Sequence, residues 1–474
     1  MISTSRENME LGPLEPVLSL LMPQEGNIVD MNQEDARIAH LLTSEGYNTA
    51  VRAASINQLD VVLDLTVDRL PQTFFFLLWA KAEKLEHAKL GDQLASDRIK
   101  LLLQISRLFH QIPIALATKE MKKLSVLCEQ YVRHAVLMQQ SIKTIFPLKI
   151  FLSRFHREGH KGITPFHAHF YYLCLHSKCY FSALEILDET LVEIHAQSNL
   201  VTCVDFLGYA YYGGLLYLGE KRYQDALDFF QLAVTAPALS LSAFVIEAYK
   251  KMLLVTLILH GEAVVLPKYT PFVVTRHVEN HCTAYVDLAN ALVVEKDFLA
   301  LQKVVGKNEE LFIREGNFGL VKQVLHAFKQ RKLLQLTSTY ATIELAEIAT
   351  TAGMSSSDEV TAETMLLTLI SNGQMDAVID KQKAMVRFVH ENVDGSTYQN
   401  KVQVEATKKL QEEMAKLVLV ANQLRCMDAE LVTSTKFQSR LQKDKDRRSR
   451  LNVHDQPGDE RNDVDSAGGM DTME

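Results

Sequence analysis

The residues from Arg331 to Val389 constrain this chain more than any other stretch, because a helical hydrophobic pattern there gives way to a strand pattern. Leu336, Tyr340, Ile343 and Ala346 recur at spacings of three and four, which predicts one face of a helix, and Glu344 and Glu347 fall off that face. Gly353 ends the pattern. Ser356 and Glu359 then stand at capping-box spacing ahead of a second helix that carries Met365, Leu366, Leu369 and Ile370. Asn372-Gly373 is a helix-stop signal. Two short extended runs follow around a polar turn, Ala377-Val378-Ile379 and Met385 to Val389.

Helix, turn, helix, hairpin is the order of a winged helix, an element that either grips DNA or pairs with another protein. A helix that reads bases in the major groove needs Arg, Lys, Asn or Gln on its exposed face. The stretch Asp358 to Ser371 has no Lys or Arg and carries Asp358, Glu359 and Glu363, so its charge has the wrong sign. Lys381, Lys383 and Arg387 on the wing leave room only for weak contact. The exposed edge of the hairpin is an association device, and association is the expected job.

Upstream, residues 33–330 read as helix after helix, with residues 1–32 as a flexible N-terminus. Tyr47, Ala50, Val51 and Ala54 open one apolar face, and Leu101, Leu102, Ile105, Leu108 and Phe109 make another. Eleven prolines and twenty glycines in 474 residues suit short loops between helices. Tyr223, Ala226, Phe230 and Ala233, closed by Pro237, have the spacing of the second helix of a tetratricopeptide repeat, whose usual unit is about 34 residues. Tyr180, Ala183 and Leu187 echo it one longer period earlier. The expected fold is mainly α: a right-handed solenoid of tetratricopeptide-like helix pairs, then the winged helix over 331–391, then a C-terminal amphipathic helix.

That last helix is expected over 398–432. Val402, Ala406, Leu410, Met414, Leu417, Ala421, Leu424 and Leu431 mostly follow steps of three and four. They form one apolar stripe on a helix of about 30 residues, or about 45 Å. The stripe follows a domain that is already complete, so it needs a partner surface, either on its own chain or on another subunit. Beyond it, 433–474 is a charged tail expected to be disordered. It holds the basic run Lys436, Arg440, Lys443, Lys445, Arg447, Arg448 and Arg450, then turns acidic from Asp455. The basic run suits a nuclear-import signal, an anionic-ligand patch or a plain solvated tail.

A net charge of −8 argues against a surface that binds nucleic acid or acidic membranes as a whole. Cys128, Cys174, Cys179, Cys203, Cys282 and Cys426 are scattered without a metal-ligand pair and read as buried reduced thiols of a cytosolic or nuclear protein. No secretory signal is visible, and the apolar runs Phe74 to Ala80 and Met252 to Leu259 are too short to span a bilayer. Soluble placement in cytoplasm and nucleus is the expectation.

The sharpest enzymatic pattern is His167-Ala168-His169 with Ser177, part of the signature of zinc isopeptidases. That chemistry needs two imidazoles and a carboxylate on one zinc. The carboxylate position here is Tyr180, and alternate residues of a helix do not face each other. His156 to His160 fails as a zinc-protease motif because Arg157 stands in place of the glutamate. Gly213-Gly214 suits a close-packing point better than a phosphate cradle. No catalytic, cofactor-binding or metal-ligating set is expected.

A helical array running into a winged helix and then a C-terminal helix resembles the PCI family, whose members are scaffold subunits of the proteasome lid, the COP-nine signalosome and a translation initiation complex. Within it the chain is most similar to signalosome scaffolds. The similarity rests on Tyr211 to Tyr217, on Tyr249-Lys250-Lys251 with Leu254 to Gly261, on Leu266 to Thr270, and on Gly319 to Gln323. It is strong from about Phe206, where the helical part of the PCI domain would begin, to Phe388. The N-terminus and the tail depart from the family pattern.

The resemblance implies a non-catalytic scaffold in the complex that removes a ubiquitin-like modifier from cullins and so regulates cullin-RING ubiquitin ligases. The partners it implies are other PCI subunits and a separate zinc isopeptidase subunit, with no membrane and no cofactor. It also implies that Ala377, Val378, Ile379, Met385, Val386 and Phe388 contribute to an edge-to-edge joint between wings, while Leu410, Met414, Leu417, Ala421 and Leu424 enter a helix bundle. The alternatives are a proteasome-lid scaffold, against which Leu266 to Thr270 weighs, and a PCI protein that binds nucleic acid.

Overall fold

The computed structural model describes residues 31–443 apart from 44, 67–69, 88–91, 159–161, 190–199, 352, 354–358, 389–396 and 436. The expectations for the N-terminus up to 30, the cap at Ser356 and the tail beyond 443 lie outside the described residues. Residues 437–443 are helical, as their run of good helix formers allows. Two compact units divide at residues 392 and 393.

The first unit opens with α1 (Met31–Thr43), α2 (Glu45–Ala53), α3 (Ile56–Thr66), α4 (Pro71–His87), α5 (Asp92–Gln111), α6 (Ile114–Lys119), α7 (Met121–Leu137) and α8 (Ser141–Arg157). Long-range contacts set these helices against one another. Asp35 of α1 accepts from the Gln72 amide at 2.8 Å and the Thr73 amide at 3.0 Å, so the start of α4 is capped by another helix. Lys81 of α4 is fully buried; it pairs with Asp60 of α3 and donates to Gln104 of α5 at 2.9 Å. A buried ammonium is tolerated only with such partners.

The array continues with α9 (Pro165–His176), α10 (Phe181–Leu187), α11 (Cys203–Gly219), α12 (Tyr223–Thr235), α13 (Ala243–Leu259), α14 (Phe272–His277), α15 (Thr283–Asn290), α16 (Phe298–Lys307), α17 (Glu309–Arg314) and α18 (Phe318–Thr339). A π-helical segment, Ala291–Glu295, extends α15. The same helix stop recurs. Gln139, Lys178 and Lys221 take left-handed φ values of 55°, 56° and 60° just past α7, α9 and α11. In each case the next amide folds back on the carbonyl five residues earlier: Gln140 to Ala135, Cys179 to Cys174 and Arg222 to Tyr217, all at 2.9 Å. This satisfies carbonyls that the helix end would otherwise orphan.

Ala226, Phe230 and Ala233 are buried at the seam of α12 with α11. Gly213 and Gly214 are close-packing points there, since a Cβ would lie 2.7 Å from the rings of Phe229 and Phe230 respectively. The large aromatic rings fill the groove that the glycines leave.

α18 belongs to two cores. Val321, Val324 and Phe328 pack into the array, while Leu333 and Leu336, further along the same helix, enter the core of the winged helix. At 22 residues it spans about 33 Å, long enough to do both. The helix then stops at Thr339, and Tyr340 is extended. Here the structure corrects the single helical face expected from Leu336 to Ala346. Ile343 lies on a strand, β1 (Thr342–Glu344), and Ala346 lies on the next helix, α19 (Leu345–Thr351). Both Leu336 and Ile343 still reach one core, so the end of a helix and a short strand imitate one helical period.

α20 (Glu359–Ser371) follows, burying Leu366 and Leu369, and Gly373 at φ +66° closes its turn. β2 (Ala377–Asp380) and β3 (Met385–Phe388) complete an antiparallel sheet of order β1-β3-β2. Ile343 pairs with Val386, and Ile379 pairs with Val386 from the other side. Three helices and a three-stranded sheet around one small core make the winged helix.

The second unit is described as α21 (Thr397–Thr433), a helix of 37 residues, with the helical turns to 443. Among the described residues no helix is long and apolar enough to cross a membrane.

Candidate assembly surfaces

The wing and the last helix carry the residues expected to join this chain to others, and the structure separates those residues into two groups. β3 is the central strand, with β1 on one side and β2 on the other. Its backbone is therefore paired on both sides and offers no edge. Val386 is fully buried, Phe388 is buried and Met385 is half-buried. Val386 and Phe388 thus belong to the core of the winged helix, and Met385 is half-buried. The cause is β1, a third strand that closes the far side of the hairpin.

β2 is an edge. It alternates, with Ala377 and Ile379 half-buried against the core and Val378 51% exposed. A strand of this kind offers backbone groups along its edge and one apolar side chain to a neighbour. Its turn is held in shape by Asp380, whose Oδ1 accepts from the Gln382 amide at 3.0 Å. Lys381 ties the turn to α20 through Glu363 at 2.6 Å. The exposed face of α20 presents Thr364, Leu367 and Thr368, with Leu367 49% exposed, and no cation. Sequence reasoning missed Leu367 and the 39%-exposed Tyr340 as surface apolar residues. Both sit at phases that a single uninterrupted helix would have assigned to the core or to nothing.

On α21 the stripe residues expected to enter a bundle are exposed: Leu410 by 63%, Met414 by 57%, Leu417 by 67%, Leu424 by 50%, and Ala421 with them. From Leu410 to Leu424 the steps alternate strictly four and three. That is the a/d spacing of a coiled-coil seam, which keeps one stripe facing a partner along the helix. Val418, also exposed, flanks it, whereas Leu419 is exposed on the opposite side of the helix.

The histidine pattern resolves differently. His167 is the third residue of α9, fully buried, and its Nδ1 accepts from the Thr164 amide at 3.1 Å, which leaves the proton on Nε2. Burial, with the neighbouring His156, pushes its pKa down to about 3, so it is a neutral capping residue. His169 points into a different environment and is only half-buried. Among the described residues no group of three His, Cys, Asp or Glu side chains is placed to hold a metal ion. Cys128, Cys174 and Cys282 are buried, and burial pushes the Cys174 and Cys282 thiols up to about 12. Cys203 and Cys426 are exposed, against the expectation of uniform burial.

Known families bring these surfaces together. The family model described as COP9 signalosome complex subunit 3, N-terminal helical repeats, matches residues 35–274, and that of the PCI domain matches 302–390. Similarity thus reaches well upstream of Phe206. COP9 signalosome complex subunit 3 of Dictyostelium discoideum is 28% identical over 357 residues, which cover 75% of this chain and 82% of that protein. The protein of the same name from Arabidopsis thaliana is 33% identical over 270 residues, 57% of this chain and 61% of that protein. Helical repeats followed by a PCI domain are what these matches describe, and the chain belongs to the COP9 signalosome complex subunit 3 family.

Proposed function

We propose that this chain is a non-catalytic scaffold subunit of the COP9 signalosome, the complex that deneddylates cullins and thereby regulates cullin-RING ubiquitin ligases. The observation that carries the reading is the heptad-spaced apolar stripe of α21, exposed over its length on a chain of this family. Burying each Leu or Met of that stripe against partner helices contributes roughly 1.5–3 kcal/mol. Leu410, Met414, Leu417, Ala421 and Leu424 enter a helix bundle formed with other subunits. The β2 edge, through Ala377, Val378 and Ile379, pairs with the winged helix of another PCI subunit. The isopeptidase chemistry belongs to a different, zinc-bearing subunit, and the assembly works in cytoplasm and nucleus.

Affinity purification of the intact tagged chain from cells tests this. Other PCI subunits and a zinc isopeptidase are expected to co-purify, with deneddylating activity on a neddylated cullin. Recovery of proteasome particles alone would overturn the reading.

A further inference from the structure

We propose that the groove between α7, α9, α11 and α13 is a recognition site for an arginine or lysine side chain of a protein partner. These are alternate helices of the array. Successive members pack against one another, so they lie side by side along one face. Between them is a cavity of about 380 Å³. Its floor is Ala168 and Gly208, and a Cβ on Gly208 would already lie 3.2 Å from that of Ala168. The small residues close the floor and leave the space above it open.

Three aromatic rings line that space. The centroids of Tyr172 and Tyr212 are 5.5 Å apart, and Phe244 stands at 86° to Tyr212 with its centroid 5.8 Å away. The rim is acidic. Glu129 and Asp205 both line the cavity. Arg133 lines it too, but its two terminal nitrogens are taken by Glu86 and Glu129, each at 2.8 Å. Two carboxylates and one guanidinium thus line the cavity, and Asp205 Oδ2 already accepts from the Thr202 amide at 3.0 Å and the Thr202 hydroxyl at 2.7 Å. His169 adds no cation at neutral pH, because burial lowers its pKa against the opposing pull of Asp205 and Glu129.

Aromatic faces attract cations through their quadrupole, and the methylene stem of Arg or Lys fills apolar space while its head stays near the carboxylates. Arginine suits the site best, since its planar head stacks on tyrosine rings. A neutral apolar side chain would desolvate the carboxylates without recompense, and an acidic one would be repelled. That the cation is carried by a protein rests on the scaffold reading; the preference for a cation rests on the cavity alone.

Saturation-transfer NMR on the full-length chain tests it, with Nα-acetyl-arginine methylamide as the probe and its uncharged counterpart Nα-acetyl-citrulline methylamide as the control. The arginine compound is expected to bind about three- to thirtyfold more tightly. Tyr212→Leu and Phe244→Leu should each remove most of that difference, with circular dichroism reporting whether the helical array is kept. The comparison of the two probes on the unaltered chain stands even if a variant fails to fold. Equal binding of both compounds, or saturable binding of neither at millimolar concentration, would overturn the proposal. Neither result would bear on purification with signalosome subunits, so the two readings fail separately.

Discussion

Arg331 lies across Gly261. From the middle of α18 its guanidinium donates to the carbonyl oxygens of Leu257 and of Ile258, the latter at 3.0 Å, and so caps the C-terminal end of α13. Gly261 closes that end at φ +70°, and a side chain there would overlap the guanidinium. One arginine thus fixes the array to the helix that continues into the winged helix.

Gly261→Ala is expected to destabilise the first unit by about 2–3 kcal/mol, from left-handed backbone strain together with displaced hydrogen bonds. Arg331→Met should cost about 1–3 kcal/mol, because it leaves the two carbonyls without their donor. The double variant should lose much less than the sum of both, since each change breaks the same contact. Urea denaturation followed by circular dichroism measures all three.

Lys250 is the second fastening, and it makes stability depend on pH. It pairs with Glu247 at 2.7 Å and with Glu315 at 2.9 Å, and Tyr285 donates to Glu315 at 2.7 Å. Burial pushes the Glu315 carboxyl up, but the hydrogen bonds from Tyr285 and Lys250 outweigh it and hold its pKa below the usual carboxylate range. A folded-state pKa below the unfolded one stabilises above the unfolded value and is lost as pH falls through the folded value. For Lys250, burial lowers and the two carboxylates raise, with the net pKa above its ordinary value, so its contribution is lost as pH rises through that raised value. Thermal unfolding should fall off on both flanks, and Glu315→Gln should flatten the acid flank.

The helix stops at Lys178 and Lys221 hold ordinary side chains in left-handed backbone. Lys221→Gly should therefore raise stability by about 1 kcal/mol, as a higher melting temperature. An unchanged or lower melting temperature would mean that the side chain makes contacts worth more than the strain.

Much of this architecture was legible in the sequence, and the exceptions have physical causes. The faces Leu101 to Phe109 and Tyr223 to Ala233 declare themselves because each is a long single-period helix. β1 does not, because three residues cannot display a period of two, and Ile343 falls in phase with the helix before it. Strand order is likewise hidden: the hairpin can be read from Ala377 to Phe388, but which of its strands becomes central depends on a strand from more than thirty positions earlier. Lys178 and Lys221 carry no stop signal, since the left-handed position usually announces itself as glycine. Lys250 and Lys251 interrupt an apolar helix in which Glu247 is the local partner of Lys250. Their other partners, Glu315 and Asn317, come from the turn before α18.

Edge and core can be told apart on the wing by one substitution at each. Val378→Asp, at a half-exposed edge position, should change stability by about 0.5 kcal/mol or less and weaken assembly. Val386→Asp would bury an unpaired carboxylate and cost several kcal/mol, unfolding the winged helix. Limited proteolysis near Tyr340 distinguishes the two outcomes.

α21 is expected to join this chain to other subunits through its apolar stripe. Quantitative mass spectrometry of complexes purified on the tagged chain, unaltered or carrying Leu417→Asp, tests it most directly. A charge on a stripe that assembly buries costs several kcal/mol, so the variant should recover PCI subunits and the isopeptidase at least about tenfold less well while the first unit keeps its melting temperature. Equal recovery from both chains would contradict the claim.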